Sequence, residues 1–428
     1  MKKVWLWGLA IVLGLVLALP AMATDWSATG WIGSTGAIYE NIPGWAGGYH
    51  IQNSMDEDVE HFWSRARLKL TARANEDLYG VLYFEMDSTN WGETGTGRNH
   101  MGTWGADQTA VEVKNVFVDF KIPGISVPVW ARVGIQPYAL RPHFLLYRDA
   151  AGVTVRSKVN KVTLSGGWAK AVDEDLAAEE DDVDVYFVQA SGKVADFSVG
   201  GYWLYQDTES ADTDWHWVGF FVDGKVRGVK LTFDFAYNFG ETDDPDVDYS
   251  GYYLRGVASY VVDKFEVGFG GHYASELDAS DLDDYTGFLY PTASEAFAGN
   301  NDSVIFGGWF IGFSNQGDLN MDAKDPLWPL NTWGLRAFAY YQALDWLKLG
   351  AQVAYWADNV EDADWYGTDA DDDDDIGWEF DVGAKVKVYK NLTWGLAFGY
   401  LVAGDALDQA AGSPDDPWAF VSNLVYTF

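Results

Sequence analysis

Polar and apolar side chains alternate along most of this chain, in runs of about ten residues or more separated by turn-forming or strongly acidic segments. Alternation with a period of two places successive side chains on opposite faces of an extended strand. The pattern predicts strands over 26–39, 60–74, 78–89, 109–122, 128–137, 150–159, 161–172, 183–194, 197–207, 215–226, 229–240, 248–262, 264–276, 332–344, 346–358, 376–389, 392–404 and 417–428. Two of them assign their faces cleanly. In 229–240, Leu231, Phe233, Phe235, Tyr237 and Phe239 alternate with Lys230, Thr232, Asp234, Ala236 and Asn238. In 376–389, Phe380, Val382, Ala384, Val386 and Val388 alternate with Glu379, Asp381, Gly383, Lys385 and Lys387. The second set in each faces water.

The connections alternate too. Short ones fall at Asn75-Glu76-Asp77, Pro123 to Val127, Asn160, Ala195-Asp196, Gly228, Asp263, Asp345 and Lys390-Asn391, and longer ones, mostly acidic, lie between them. Eighteen such strands in a soluble sheet would need a second layer to cover their apolar face, and no helical layer is visible. A transmembrane antiparallel β-barrel needs none: lipid covers the apolar face, and every backbone donor and acceptor is paired between neighbouring strands. An even strand number returns the C-terminus to the side on which the first strand started, with short turns on the periplasmic side and long acidic loops outside. The expected fold is therefore all-β, an 18-stranded barrel, with 16 as the alternative. Residues 277–331 interrupt the rhythm, being too many for an ordinary loop. They read as an excursion folded over or into the pore, with a possible strand at Ser303 to Phe313.

The two ends fit an exported barrel. Lys2 and Lys3 precede an apolar run from Val4 to Leu19, and Ala21-Met22-Ala23 has the small-x-small form of a cleavage site, so residues 1–23 read as a signal peptide and 24–428 as a single barrel. The chain closes on Tyr426 and Phe428, on one face of the last strand. An aromatic residue ending an alternating strand resembles the signal by which the outer-membrane assembly machinery selects its clients.

Composition narrows the class further. Removing Lys2 and Lys3 leaves 26 of the 28 Lys and Arg residues against 64 Asp and Glu, a formal charge of −38, which excludes nucleic-acid binding. The acids crowd 173–184, 207–214, 241–248, 276–284, 358–375 and 405–416, between predicted strands. Such segments are solvated faces that concentrate cations, with weak divalent bridging to lipopolysaccharide phosphates as the sharper reading. Counting from Asp369, a calcium loop would need Gly where Asp374 sits and Glu where Phe380 sits, so no metal site is assigned. The absence of cysteine excludes a disulfide framework.

The strongest candidate chemistry is a ladder of charge. Arg65, Arg67, Lys69 and Arg73 share one face of 60–74, with Ala66, Leu68, Leu70 and Ala72 on the other. Arg132, Arg156 and Lys158 continue this inward basic surface, and Glu85, Asp87 and Asp119 stand on neighbouring strands as inward acids. Walls carrying both signs make a strong local field that orders ions and polar solutes and slows apolar ones. Charges that merely neutralise one another in a wet lumen are the simpler reading. Trp31, Trp45, Trp63, Trp91, Trp104, Trp215, Trp217, Trp365 and Trp378 lie near predicted strand ends, where an interfacial girdle is expected. The six histidines lack Ser or Asp neighbours at a catalytic spacing, and no phosphate loop or cofactor motif is present, so the chain reads as non-enzymatic.

Several segments carry a resemblance. Asn90-Trp91-Gly92, Gly105-Ala106-Asp107, VEVKNVFVDF (Val111 to Phe120), ARVGIQ (Ala131 to Gln136), AAGVTV (Ala150 to Val155) and RARLKL (Arg65 to Leu70), with the terminal Tyr426 and Phe428, resemble the homotrimeric outer-membrane porins of Desulfovibrio-type sulfate-reducing bacteria. More distantly, GWEFDVGAKVKVYKNLTWGLAFGYLVAG (Gly377 to Gly404) is similar to the C-terminal hairpin of eighteen-stranded alginate-export-like channels. The porin resemblance implies a water-filled, trimeric channel for passive diffusion of ions and small hydrophilic solutes through a Gram-negative outer membrane. A dedicated saccharide uptake or export channel is the alternative. The small side chains Ala66 and Ala72 suggest a protomer contact, and acid at the entrance suggests a modest cation preference.

Overall fold

The computed structural model describes residues 24–41, 59–92, 100–101, 110–141, 145–172, 182–209, 213–243, 246–278, 283–291, 303–305, 332–361, 374–407 and 415–428. The segment expected to be a signal peptide lies outside them. Eighteen long strands follow one another: β1 (Asp25–Glu40), β2 (Val59–Asn75), β3 (Leu78–Trp91), β4 (Glu112–Lys121), β5 (Val129–Leu140), β6 (Leu146–Val159), β7 (Val162–Val172), β8 (Val183–Val194) and β9 (Phe197–Thr208) make the first half. The second half is β10 (Thr213–Val226), β11 (Val229–Asp243), β12 (Asp246–Val262), β13 (Phe265–Ala274), β14 (Thr332–Leu344), β15 (Leu347–Asp358), β16 (Asp375–Tyr389), β17 (Leu392–Ala403) and β18 (Trp418–Thr427).

Each strand pairs antiparallel with its predecessor and successor, and β1 pairs with β18 from Trp31↔Thr427 to Glu40↔Trp418. The sheet is a closed cylinder. Beyond the last rung, Gly30 and Phe428 exchange both backbone bonds, at 2.9 and 3.0 Å, so the seam is sealed to the final residue. Closure is what makes the fold compatible with lipid, where each unpaired backbone group would cost several kcal/mol.

Every predicted strand is present. Ser303–Phe313 differs: Ser303, Val304 and Ile305 lie outside any strand, with Val304 and Ile305 in a turn, and 306–313 lie outside the described residues. The burial pattern is inverted relative to a soluble sheet. Phe380 and Val382 are 48 % and 54 % exposed on the outside, whereas Glu379 and Asp381 between them are buried within the cylinder.

Tryptophans mark the outer surface, and only some of them are those the strand ends suggested. Trp91 and Trp378 project outward near the long-loop end, together with Trp168 and Trp203, and Trp26, Trp346 and Trp394 project near the short-turn end. These fit two interfacial belts. Trp31, Trp63, Trp215 and Trp217 do not belong to them, because strand parity turns them inward: Trp31 lies under Arg67, and Trp63 and Trp217 are fully buried. Trp45, Trp104 and Trp365 lie outside the described residues.

Candidate functional site

The inner wall from β2 to β6 carries the charge ladder as two networks. In the long-loop half, Glu85 accepts from Arg65 Nε at 2.7 Å and Arg67 Nε at 2.6 Å, with Lys114 Nζ at 3.1 Å. Lys114 extends the chain of charges to Asp149 at 2.7 Å, and Asn115 Nδ2 donates to the same carboxylate at 2.7 Å. Nearer the short turns, buried Asp119 accepts from Arg132 Nε at 2.8 Å and from both terminal nitrogens of Arg156, each at 2.8 Å. Aromatic faces back these guanidiniums: Arg132 lies 4.4 Å from the Phe117 ring centre, Arg156 5.5 Å from Trp130 and Arg73 4.7 Å from Tyr79. A fork held by a carboxylate on its edge and a ring on its face has little freedom left.

Most of the predicted ladder is thus brought together and paired. Lys69, Arg73 and Lys158 face the lumen without an ion pair among the described residues. The side chain of Asp87 lies outside the described residues. Lys114 was missed because simple alternation turns it to lipid. A register shift between Tyr83 and Phe84, opposite Asn115 and Val113, brings Lys114 and Asn115 both to the inner side.

The second feature is a hairpin that leaves the wall. β5 pairs with β4 only as far as Ile135, and β6 pairs with β7 only from Ala151, so 136–140 and 146–150 pair with each other alone. The departure is at Gly134 and Gly152, directly opposite one another, with φ of +128° and +157°. A Cβ at Gly134 would stand 2.3 Å from Val116 O, and one at Gly152 2.1 Å from Trp168 O. Only glycine allows both the close approach and the dihedral. Past the bend, Tyr138, Leu140, Leu145 and Leu146 pack on Phe187, Leu204 and Trp217 of the inner wall of β8 to β10. At the tip Arg141 lies over Phe221, bonds both oxygens of Asp223 at 2.7 and 2.9 Å, and makes a short ion pair with Asp234. The hairpin folds inward and lies along the inner wall of β8 to β11.

The long excursion contributes two further pieces. Phe288 and Tyr290 join the same cluster as the hairpin, and Trp217 Nε1 donates to Leu289 O at 2.7 Å. Ser303, Val304 and Ile305 dock on the other side of the cylinder, against β15 to β18, where Glu379 receives them. Its carboxylate accepts from Ser303 Oγ at 2.8 Å, from the Val304 and Ile305 amides at 2.9 Å each and from Trp356 Nε1 at 2.7 Å. Among the described residues, apolar packing therefore fills the lumen beside β7–β13 and beside β14–β18. The charged wall of β2 to β6 lies between these two fillings.

Tyr426 and Phe428 stack with their rings 5.8 Å apart on the outer surface, half exposed, at the seam. No protein-family model matches the sequence, and no curated protein matches it. The fold is similar to solved outer-membrane porins. Against Pseudomonas aeruginosa OccK8 (OprE) the TM-score is 0.57 at 11% identity, covering 94% of this chain and 98% of that one. Against Acinetobacter baumannii OccAB3 it is 0.57 at 12% identity, covering 94% and 99%. Against P. aeruginosa OpdK with vanillate it is 0.56 at 11%, covering 94% and 98%.

Proposed function

We propose that this chain is an outer-membrane porin, a water-filled channel for passive diffusion of ions and small hydrophilic solutes. The observation that carries the reading is a sealed cylinder, apolar outside, whose inner wall bears Arg65, Arg67, Lys69, Arg73, Glu85, Asp119, Arg132, Arg156 and Lys158. Solutes pass along that wall, narrowed by the β5–β6 hairpin. Apolar molecules are slowed by the loss of their hydration there, and polar ones exchange water for fixed charge. The likeness to structures of Occ channels supports a channel, and the vanillate held by OpdK makes small carboxylates a natural first solute set. In planar bilayers the purified protein should give steady conductance, and proteoliposomes should swell in small sugars. Bilayers that stay silent would remove the proposal, and block by one sugar at low concentration would turn it into a dedicated saccharide channel.

We propose further that the protein is a homotrimer akin to the sulfate-reducer porins it resembles, that its acidic loops contact lipopolysaccharide and that the assembly machinery recognises Tyr426 and Phe428. The outer faces of β1 and β2 support a protomer contact, since Ala28, Ser34, Ala66 and Ala72 are small side chains there. Replacing Ala66 and Ala72 together with Trp should shift mild-detergent gels from trimer to monomer while heat-modifiable barrel folding persists. Intact trimers in the double variant would place the contact elsewhere.

A further inference from the structure

The short hairpins share a feature that their turns do not show. At the rung nearest the turn where both partners face the lumen, β2–β3 places Arg73 opposite Tyr79, β4–β5 Lys121 opposite Trp130, β6–β7 Lys158 opposite Thr163 and β8–β9 Lys193 opposite Ser198. The pattern continues with Lys225 opposite Lys230 in β10–β11, Lys348 opposite Gln342 in β14–β15 and Lys387 opposite Thr393 in β16–β17. Among these hairpins β12–β13 alone differs, with Glu266 opposite Val261. Strand parity fixes the direction: Lys193 shares its side of β8 with buried Val185 and Phe187, and Lys225 its side of β10 with buried Trp217 and Phe221. The short-turn mouth is ringed with inward cations.

The fold does not account for these charges. Lys230 pairs with Glu266 at 2.9 Å and Lys121 with Asp77 at 3.5 Å, whereas Arg73, Lys158, Lys193, Lys225, Lys348 and Lys387 have no ion pair among the described residues. Lys225 and Lys230 face each other directly, and like charges across a rung destabilise a sheet. Being turned inward, the ring does not serve lipid headgroups either. Acid is arranged the other way: at the long-loop ends of β8 and β10 to β12, Asp184, Asp214, Glu241, Asp246 and Asp248 lie on the outward face by the same parity. Within the cylinder, Asp119 and Asp234 are already bound by arginine. The formal charge of the chain is not the charge its lumen presents.

Building on the channel reading, we infer that this ring makes the pore select anions over cations and multivalent anions over monovalent ones, the reverse of the preference that total charge suggests. Lysine suits such a filter. An ammonium on a flexible stem is a point charge that responds to valence, whereas the arginine forks of β2 to β6, clamped by carboxylates and rings, respond to shape. A mouth potential of about one kT per unit charge enriches a monovalent anion about threefold and a divalent one about sevenfold, because enrichment is exponential in charge. Salt weakens both, since the Debye length is about 10 Å at about 0.1 M and about 3 Å at about 1 M.

Reversal potentials of the full-length protein in planar bilayers test this. In a KCl gradient centred on about 0.1 M, chloride is expected to permeate roughly three times as readily as potassium, the ratio falling close to one at about 1 M. With potassium acetate on one side and potassium malonate on the other at neutral pH, malonate is expected to be roughly twice as permeant. Size alone predicts the opposite order. The variant Lys193→Gln/Lys225→Gln/Lys348→Gln/Lys387→Gln leaves the arginine wall of β2 to β6 intact, and heat-modifiable gel mobility reports whether its barrel has folded. It should lose both preferences, chloride falling toward parity with potassium and malonate falling below acetate. The wild-type measurements decide the matter even if that variant does not fold. Parity or a potassium preference in the wild type at low salt, malonate no more permeant than acetate, or a folded variant as selective as the parent would overturn the inference with the channel reading intact. Absence of any conductance would instead defeat the channel reading itself.

Discussion

An Arg141→Ala variant is expected to conduct roughly twice as much as the parent, with frequent current fluctuations, because one side chain holds the tip of the β5–β6 hairpin against β10 and β11. Arg141 spans Asp223 on β10 and Asp234 on β11, with its guanidinium over Phe221. Removing it strands Asp234, which is only 1 % exposed and whose remaining cation, Arg255, is 3.8 Å away. Losing one partner of a fully buried pair costs about 3–5 kcal/mol, but Arg141 is a fifth exposed and Arg255 compensates in part, so about 2 kcal/mol is expected. The apolar contacts of Tyr138, Leu140, Leu145 and Leu146 keep the hairpin from swinging free altogether, which is why the current should fluctuate between levels. Arg141→Lys separates charge from geometry: an ammonium cannot bridge two strands bidentately, so it should restore stability more than it restores conductance. Parental conductance in Arg141→Ala would mean that the hairpin is held by packing alone.

The barrel was legible because its signal is repeated eighteen times. Alternation in any one strand is weak, but the period, the turn residues and the return of the last strand to the first all had to agree. The inner charges of β2 were legible for the same reason, since Arg65, Arg67, Lys69 and Arg73 obey strict parity. What parity could not reach was every departure from the regular wall. Lys114 comes inward through a register shift, Trp63 and Trp217 are buried where strand-end position suggested a membrane interface, and Arg141 finds its acids 82 and 93 positions away. A signal for the hairpin did exist. The connection Arg141-Pro142-His143-Phe144-Leu145-Leu146 is apolar and basic, unlike the acidic segments that follow β7, β9, β11 and β15, and the glycines of ARVGIQ and AAGVTV flank it symmetrically. A loop that avoids the composition of its solvated neighbours, bounded by paired glycines, is a loop that turns inward.

Glu379 illustrates the remaining gap and sets the second large effect. Alternation marks it as an inward acid facing water, yet its carboxylate is sealed from solvent by a turn 74 to 76 positions earlier in the chain. Four donors converge on it: one hydroxyl, two backbone amides and an indole. Bonds to a charged acceptor contribute about 1.5–3 kcal/mol each, and amides left unpaired in a buried site carry their full desolvation cost. Glu379→Ala should therefore lose more than a surface substitution can, about 3–5 kcal/mol, and free the Ser303 turn from the wall. Hydrogen exchange at the Val304 and Ile305 amides should accelerate by at least tenfold, and pore conductance should rise as the space beside β15–β18 opens. Glu379→Gln should fall between, since its single carbonyl oxygen can still accept the two amides while its NH2 group confronts the Trp356 donor. Two clusters, one keyed by Arg141 and one by Glu379, fill opposite sides of the cylinder, so the effects of the two substitutions on conductance should be independent. If exchange at 304 and 305 is unchanged in Glu379→Ala, the turn is held by the apolar contacts of Val304 and Ile305, and the carboxylate serves the wall alone.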